Sequence, residues 1–163
     1  MLEVTGDFGG GISTRYAVNE VVIQRQGAGM ISVETYVNDQ MVATYHGDGL
    51  IVSTPTGSTA YSLSVGGPVV APQCACLVLS PVAPHNLTMR PVVIPSSSDV
   101  RLKVHARHAE ISIATDNETC PIPEGAEFVV RLASRRFFLA VPHNISFYDT
   151  LRKKMMWGVD IRS

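Results

Sequence analysis

Two short segments combine residue types that could bind a polar ligand. Gly47-Asp48-Gly49 places a carboxylate between two glycines, and residues 54–61 form a stretch of small hydroxyl residues that leads into a predicted helix. Glycines allow close backbone approach and a helix start carries partial positive charge, so such a loop suits a sugar or a phosphate. Hydroxyl residues before a helix also occur as ordinary caps, so the residue types alone leave both interpretations open.

The two familiar nucleotide-binding motifs do not account for this stretch. A Walker A loop ends in Gly-Lys followed by Ser or Thr, and the sequence has no such ending and no Rossmann glycine fingerprint. The stretch therefore predicts a polar ligand without assigning the chain to either of those folds.

Strand-like alternation dominates the elements that must position these residues. Apolar and polar residues alternate over residues 31–37 and 100–105, and Asn38-Asp39 predicts a tight turn from the first of these into a strand at 41–45. Because strands do not alternate regularly with helices, we predict a mainly β fold, an antiparallel β-sandwich of many strands. Further strands are predicted for residues 21–23, 50–52, 110–115, 128–132 and 136–141, the last two as a pair around Ala133-Ser134-Arg135.

Two helices are predicted. A short one covers residues 59–65, with Thr56, Gly57 and Ser58 available to satisfy its first amides and Gly66-Gly67 to end it. A C-terminal helix covers residues 149–157, with Asp149 at its start, basic residues further on and Gly158 behind it. We predict a single domain over residues 1–163 that this second helix closes.

Composition narrows the class of protein. The chain has 163 residues, of which 45% are hydrophobic and 17% charged, so a packed core is expected. A formal net charge of −1 gives no basic footprint for nucleic acid, and no apolar run approaches the roughly 20 residues of a membrane span. With no secretory signal visible, we predict a cytoplasmic location, in which the three cysteines are reduced thiols of the core.

Five blocks of the sequence resemble, in their order, the signature of the NAD kinase family, and together they cover nearly the whole chain. They are Asn19-Glu20; Gly47-Asp48-Gly49; the Thr-Pro-Thr-Gly-Ser-Thr-Ala-Tyr stretch of residues 54–61 with Gly66-Gly67-Pro68; residues 80–87 with Arg90-Pro91; and Leu151-Arg152-Lys153-Lys154 with Trp157-Gly158.

The resemblance implies roles for residues around the adenosine half of NAD. Asn19 and Glu20 would hold the adenosine part, and Tyr61 would stack beside the adenine pocket. The pocket itself would be lined by Thr59, Ala60 and Ser64, with Thr56 in the same loop as a further substrate-binding residue.

For the other half of NAD, the resemblance implies that Asp48 reaches a ribose or the nicotinamide end. Ala83 and His85 would help to shape that end, often across a subunit interface. Asn117 can touch the nicotinamide side, but the family usually has Asp-Gly where this chain has Asp116-Asn117, so the family's turn need not be kept here.

The activity implied is phosphoryl transfer from ATP, or another phosphate donor, to the 2′-hydroxyl of the adenosine ribose of NAD, giving NADP. A divalent metal, Mg²⁺ in the first instance, would be required, and the protein would be a homodimer or homotetramer assembled through this domain. In the family the essential aspartate belongs to a Gly-Gly-Asp-Gly motif in an amino-terminal domain, and this chain has no such motif. We therefore expect no catalytic residue in this chain and little or no activity from it alone.

Two other classes of function stay open at this point. The chain could be a non-catalytic module for NAD binding or oligomerisation, or a domain of a related lipid kinase, since diacylglycerol and sphingosine kinases share the superfamily. The Thr-Pro-Thr-Gly-Ser-Thr-Ala-Tyr block favours NAD over a lipid.

Overall fold

The computed structural model describes residues 1–140 and 146–158, in which strands dominate. Two helices follow the pattern of the sequence, α1 (Tyr61–Ser64) and α2 (Phe147–Met155), and a 3₁₀ turn spans Thr56–Thr59. The strands are β1 (Leu2–Asp7), β2 (Ile12–Ala17), β3 (Glu20–Gln26), β4 (Ile31–Val37), β5 (Gln40–Gly47), β6 (Gly49–Ser53), β7 (Cys76–Val82), β8 (Val92–Pro95), β9 (Val100–Ala106), β10 (Glu110–Thr115), β11 (Glu118–Ile122) and β12 (Glu127–Leu132).

The strands form two antiparallel six-stranded sheets. The first sheet has the order β2-β1-β12-β9-β4-β5, and the second has the order β11-β10-β3-β6-β7-β8. Alternate residues of each strand meet in one core between the sheets, including Val33 and Phe128 from the first sheet and Leu50 and Leu79 from the second. The predicted antiparallel β-sandwich is confirmed, and this core carries most of the apolar burial that stabilises it.

The predicted hairpin at Asn38-Asp39 is also confirmed. Both residues have positive φ, 49° and 62°, and Val37 pairs with Gln40. Two successive left-handed residues make the turn whose twist matches that of paired strands, and Asn and Asp adopt this conformation more readily than most residues.

The strand predicted at residues 136–141 is wrong for residues 136–140, which form no strand, while residue 141 lies outside the described residues. The sheet order gives the reason. β12 already has β1 on one edge and β9 on the other, so a hairpin partner following β12 in sequence has no free edge to pair with. Phe138 and Leu139 are consequently exposed.

The predicted helix at residues 59–65 is split into two shorter pieces. Ala60, with φ −97° and ψ −131°, separates the 3₁₀ turn from α1, and neither piece has a side-chain cap at its start. The capping role expected of Thr56, Gly57 and Ser58 is therefore wrong. The predicted end is correct, since Gly66 follows with φ 84°.

The C-terminal helix begins two residues earlier than predicted. Ser146 is its N-cap, and its hydroxyl oxygen accepts a hydrogen bond of 3.0 Å from the Asp149 backbone N–H. The helix ends before Met156, whose left-handed φ of 51° breaks the helical path. No helix in the described ranges is long and apolar enough to cross a membrane.

Candidate functional site

The start of β3 is held in place by one carboxylate. Asp116 lies in the turn between β10 and β11, and its two carboxylate oxygens accept backbone N–H groups from Val18, Asn19 and Glu20 at 2.7, 2.8 and 3.1 Å. Three charge-assisted bonds to one acceptor group fix the backbone of the Asn19-Glu20 pair. No local pattern predicts this role for Asp116, because its partners are nearly a hundred residues away in the sequence.

Glu20 presents a buried carboxylate beside this anchor. The residue is 7% exposed, and its Oε2 atom has no hydrogen-bond partner among residues 1–140 and 146–158. Burial raises the pKa of Glu20, the negative charge of Asp116 raises it further, and the Tyr61 backbone N–H lowers it in part. An unpaired buried carboxylate oxygen costs stability, which marks this position as one where a ligand could supply the missing donor.

The hydroxyl-rich loop sits directly on Asn19. The Asn19 carbonyl accepts the Thr54 backbone N–H at 2.9 Å, and the Thr54 hydroxyl bridges the Val18 carbonyl (2.8 Å) and the Gly57 N–H (3.0 Å). A Cβ at Gly57 would lie 2.2 Å from the Asn19 carbonyl oxygen, so only glycine allows the two segments to approach this closely. The Thr54 hydroxyl, rather than a residue predicted as a cap, accepts the Gly57 amide in the first turn of the 3₁₀ segment.

The hydroxyls of the loop divide into structural and available groups. Ser58 and Ser62 are buried, with Ser58 accepting the Val70 N–H at 3.0 Å and Ser62 bonded to Ser80 at 2.9 Å. The residues predicted to bind substrate are the accessible ones: Thr56, Thr59, Tyr61 and Ser64 are exposed and Ala60 is partly exposed. The buried serines hold the loop, and the exposed side chains are free to contact a ligand.

Thr56 and Thr59 border the open space on one side of the hydroxyl-rich loop. They line a cavity of about 380 Å³ whose other wall is α2, including Phe147, Leu151 and Lys154. Neither Asn19 nor Glu20 lines this cavity, so the loop presents predicted ligand-binding residues on two of its sides.

Asp48 belongs to a second group of predicted site residues, built by tight backbone packing. Its Oδ1 accepts the Arg25 Nε–H at 2.7 Å, and its backbone N–H donates to the Val82 carbonyl at 3.0 Å. Cβ atoms at the flanking glycines would lie 2.8 Å from the Ala83 carbonyl oxygen at Gly47 and 2.3 Å from the Ile23 carbonyl oxygen at Gly49. The two glycines therefore let this carboxylate sit between strands, and the sequence missed its Arg25 partner.

Ala83 and His85 directly follow β7, whose last residue, Val82, accepts the Asp48 backbone N–H. Ala83 has a left-handed φ of 42°, and the His85 N–H donates to the His46 carbonyl at 2.9 Å. Both residues are exposed. The carboxylate, the exposed imidazole and the turn at Ala83 thus form one surface.

These two groups lie at opposite ends of β6. We call them the Glu20 end, comprising residues 18–20, 53–64 and 115–118, and the Asp48 end, comprising residues 25, 47–49 and 82–85. Glu20 pairs with Ser53 at one end of β6, whereas Asp48 directly precedes Gly49 at the other. Asp48 and Ser53 are roughly 17 Å apart at about 3.4 Å per residue of strand. One protomer does not bring all the predicted residues to one place.

Asn117 lies at the Glu20 end, in the two-residue turn that joins Thr115 to its partner Glu118. Asp116 takes the left-handed conformation of this turn, with φ 51°, and Asn117 is not among the residues with positive φ. The turn therefore needs no glycine at position 117. Asn117 is exposed and adjoins the carboxylate that anchors Asn19.

Metal binding finds little support in the described ranges. Among residues 1–140 and 146–158, no group of three or more His, Cys, Asp or Glu side chains is placed to hold a metal ion.

The prediction that the three cysteines are thiols of the core is partly wrong. Cys74 is exposed, Cys76 and Cys120 are partly buried, and all three are free thiols.

The chain is an antiparallel sandwich with a glycine-flanked carboxylate at one end and a hydroxyl-rich loop at the other. This arrangement is typical of a domain that binds a polar ligand. The chain belongs to the ATP-NAD kinase C-terminal domain family, whose model matches residues 18–142. This match includes both ends of the site and favours the NAD kinase family over the lipid kinases considered above.

Individual relatives agree with the family assignment. The chain is 42% identical to an NAD kinase of Porphyromonas gingivalis over 99% of its own length and 56% of the relative's. It is 43% identical to an NAD kinase of Bacteroides fragilis over 90% of its length and 51% of the relative's. The chain thus spans about half the length of the curated relatives it matches.

Solved structures share the fold. A yeast NADH kinase complexed with NADH superposes with a TM-score of 0.85 at 22% identity, covering 99% of this chain and 50% of that one. An NAD kinase from Archaeoglobus fulgidus in complex with ATP superposes with a TM-score of 0.66 at 28% identity, covering 82% of this chain and 51% of that one. At its low identity, the first comparison supports the sandwich and nothing finer.

Proposed function

We propose that this chain is the substrate-binding part of an NAD kinase, which transfers a phosphoryl group from ATP to the 2′-hydroxyl of the adenosine ribose of NAD. The observation that carries the proposal is the buried Glu20 carboxylate, with an unpartnered oxygen, beside an exposed hydroxyl-rich loop. Ribose hydroxyls can donate hydrogen bonds to such a carboxylate, and Asp or Glu is the usual partner of a dinucleotide ribose.

At the Glu20 end, Asn19 and Glu20 hold the adenosine part in this proposal. The Asn19 side chain offers both a donor and an acceptor to adenine, and its backbone is fixed by Asp116 and the loop. Tyr61, 38% exposed, supplies an aromatic face for stacking. Ala60 and Ser64 line the same adenine pocket in this proposal, and Thr56 and Thr59 extend it toward the cavity beside α2.

The nicotinamide half contacts the Asp48 end of a second protomer. Asp48, Ala83 and His85 lie at the opposite end of β6 from Glu20, and a homodimer or homotetramer that apposes these two ends of neighbouring protomers supports the whole of NAD. Asn117, at the Glu20 end, approaches the nicotinamide side from the first protomer.

The chemistry itself rests on groups beyond this chain's described residues. Phosphoryl transfer depends on positioning and on charge stabilisation by a metal and by groups that bind the phosphates. We propose that Mg²⁺ arrives with ATP and is held by a further domain, which also contributes the essential aspartate, and that the protein works in the cytoplasm. This chain then forms one domain that binds and orients NAD.

Calorimetry with NAD tests the binding role, and an assay of NADP formation with ATP and Mg²⁺ tests the chemistry. We expect measurable heat with the unmodified chain, at least tenfold weaker binding in Asn19→Ala and Asp48→Asn, and no NADP formation by the chain alone. Glu127→Gln, in an exposed ion pair with Lys103 on the other sheet, serves as the control that keeps wild-type binding.

Unchanged heat in both site variants would overturn the assignment of the site. NADP formation by the chain alone at the rate of a complete NAD kinase would overturn the proposal that phosphoryl transfer needs a further domain. Binding that persists when this chain is joined to the rest of its protein, without any NADP formed, would identify a non-catalytic NAD-binding module instead.

A further inference from the structure

Two buried polar side-chain atoms of the described residues lack any hydrogen-bond partner, and they lie on adjacent strands. They are Oε2 of Glu20 and Oγ of Ser53. Ser53 is fully buried and Glu20 is 7% exposed. A buried hydroxyl or carboxylate without a partner destabilises the fold, so two such atoms in one place call for a common explanation.

The register of the sheet brings these two residues face to face. Glu20 on β3 pairs directly with Ser53 on β6. Directly opposed residues of an antiparallel pair project to the same face with Cβ atoms about 4.5–5.5 Å apart. A hydroxyl and a carboxylate at that spacing can form a hydrogen bond after a rotation of the longer side chain.

The neighbours of Glu20 leave Ser53 as the donor on that side. Asp116, on the other flank of β3, uses its carboxylate on backbone N–H groups and can offer Glu20 only a like charge. The Tyr61 backbone N–H approaches the Glu20 carboxylate from the loop. The Ser53 hydroxyl is thus the side-chain donor that the strand pairing places beside Glu20.

We propose that Ser53 is a positioning residue of the NAD site: its hydroxyl donates a hydrogen bond to Oε2 of Glu20 and orients the carboxylate so that its second oxygen meets the ligand. This role rests on the proposed function of the site and extends it to a residue beneath the binding surface. A donated hydrogen bond also favours the ionised form of Glu20, which is the form that can accept ribose hydroxyls.

Two experiments test the pairing on the full chain. The first is an NMR titration of the Glu20 side-chain carboxyl, without NAD, in the wild type and in Ser53→Ala. The Ser53→Ala substitution should raise the pKa of Glu20. The control is Ser98→Ala, which changes a buried serine remote from Glu20 and should leave the pKa of Glu20 unchanged. Because no ligand is present, this measurement stands even if NAD proves not to be the ligand. A pKa of Glu20 that is unmoved or lowered in Ser53→Ala overturns the proposal.

The second experiment measures NAD affinity by calorimetry as a function of pH. Ser53→Ala should weaken binding about tenfold on the acidic limb and little at high pH, because a shift of one in pKa is a tenfold change in the ionised fraction. In a Glu20→Gln background the Ser53→Ala change should have no further effect, since Ser53 acts through Glu20. Additive losses that are equal at every pH would show a merely structural role and overturn the proposal.

Discussion

Glu20 shows how a single residue can trade stability for a binding group. Its carboxylate is buried between Ser53 and Asp116, where the charged form is disfavoured, and among the described residues Oε2 has no hydrogen-bond partner until the side chain rotates toward Ser53. Positions of this kind are where proteins hold groups for a ligand at a cost to the fold.

Glu20→Gln should stabilise the free chain at neutral pH while weakening NAD binding. Because the pKa of Glu20 is raised on folding, the protonated form contributes stability that is present below the ordinary pKa of glutamate and is lost as pH rises through the raised value. We expect the variant to be about 1 kcal/mol more stable than wild type at pH 8 and equal to it near pH 4. Urea unfolding at the two pH values measures this.

Glu110→Gln is the matched control for that substitution, because Glu110 is an exposed carboxylate on the same sheet. It should change neither stability nor NAD affinity. A Glu20→Gln variant that is less stable at pH 8 and binds NAD normally would show that the carboxylate serves the fold and not the ligand.

Asp116→Asn should loosen the backbone of the Asn19-Glu20 pair. The amide keeps one acceptor oxygen where the carboxylate used two for three N–H groups, so we expect a loss of about 1–2 kcal/mol in unfolding free energy and weaker NAD binding. Asp39→Asn is matched to it, since both aspartates occupy left-handed turn positions, with φ 62° and 51°. Equal unfolding free energies for the two variants would contradict the anchoring role.

At the scale of elements, the seating of the loop on Asn19 depends on the missing side chain of Gly57. Gly57→Ala would place a Cβ 2.2 Å from the Asn19 carbonyl oxygen and force the segments apart. We expect a loss of about 1–3 kcal/mol in thermal or urea unfolding together with a loss of NAD affinity. Gly10→Ala, where an added Cβ meets nothing within 4 Å, should be close to neutral; comparable losses in both variants would argue against the contact.

The alternation of apolar and polar residues predicted those strands that have one buried face and one solvated face. The alternation over β4 and β9 and the Asn38-Asp39 turn gave correct strands, because one face of each strand is buried and the other is solvated. β7 gives no such signal, since Leu77, Val78 and Leu79 are all buried. The false strand after β12 failed for a different reason: the occupancy of both edges of β12 is a property of the whole sheet.

The predictions for the site residues differ in the same way, between those that the sequence indicates directly and those that depend on strand pairing. Residue types alone indicated Asp48 and the loop, and the family resemblance added Asn19. Asp116 is brought to the backbone of residues 18–20, and Ser53 to Glu20, only by the register of β3 with β10 and β6, so no local pattern in the sequence could indicate a role for either.

At the scale of the whole molecule, the separation of the Glu20 and Asp48 ends predicts complementation between protomers. Glu20→Gln and Asp48→Asn chains should each bind NAD poorly, yet a mixture allowed to exchange subunits should recover roughly a quarter of the wild-type sites, those with two intact ends. Calorimetry on the mixture measures the recovered sites. No recovery after exchange, confirmed with differently tagged chains, would place the whole site within one protomer.

The length of β6 affects how NAD binding depends on the concentration of the protein. In the proposed assembly each copy contributes two half-sites, one at each end of that strand, so a solitary copy at high dilution would meet NAD with only half of its contacts. Ligand would then promote assembly, and assembly would promote ligand capture, by mass action. Capacity for NAD would consequently rise more steeply than in proportion to the amount of protein made.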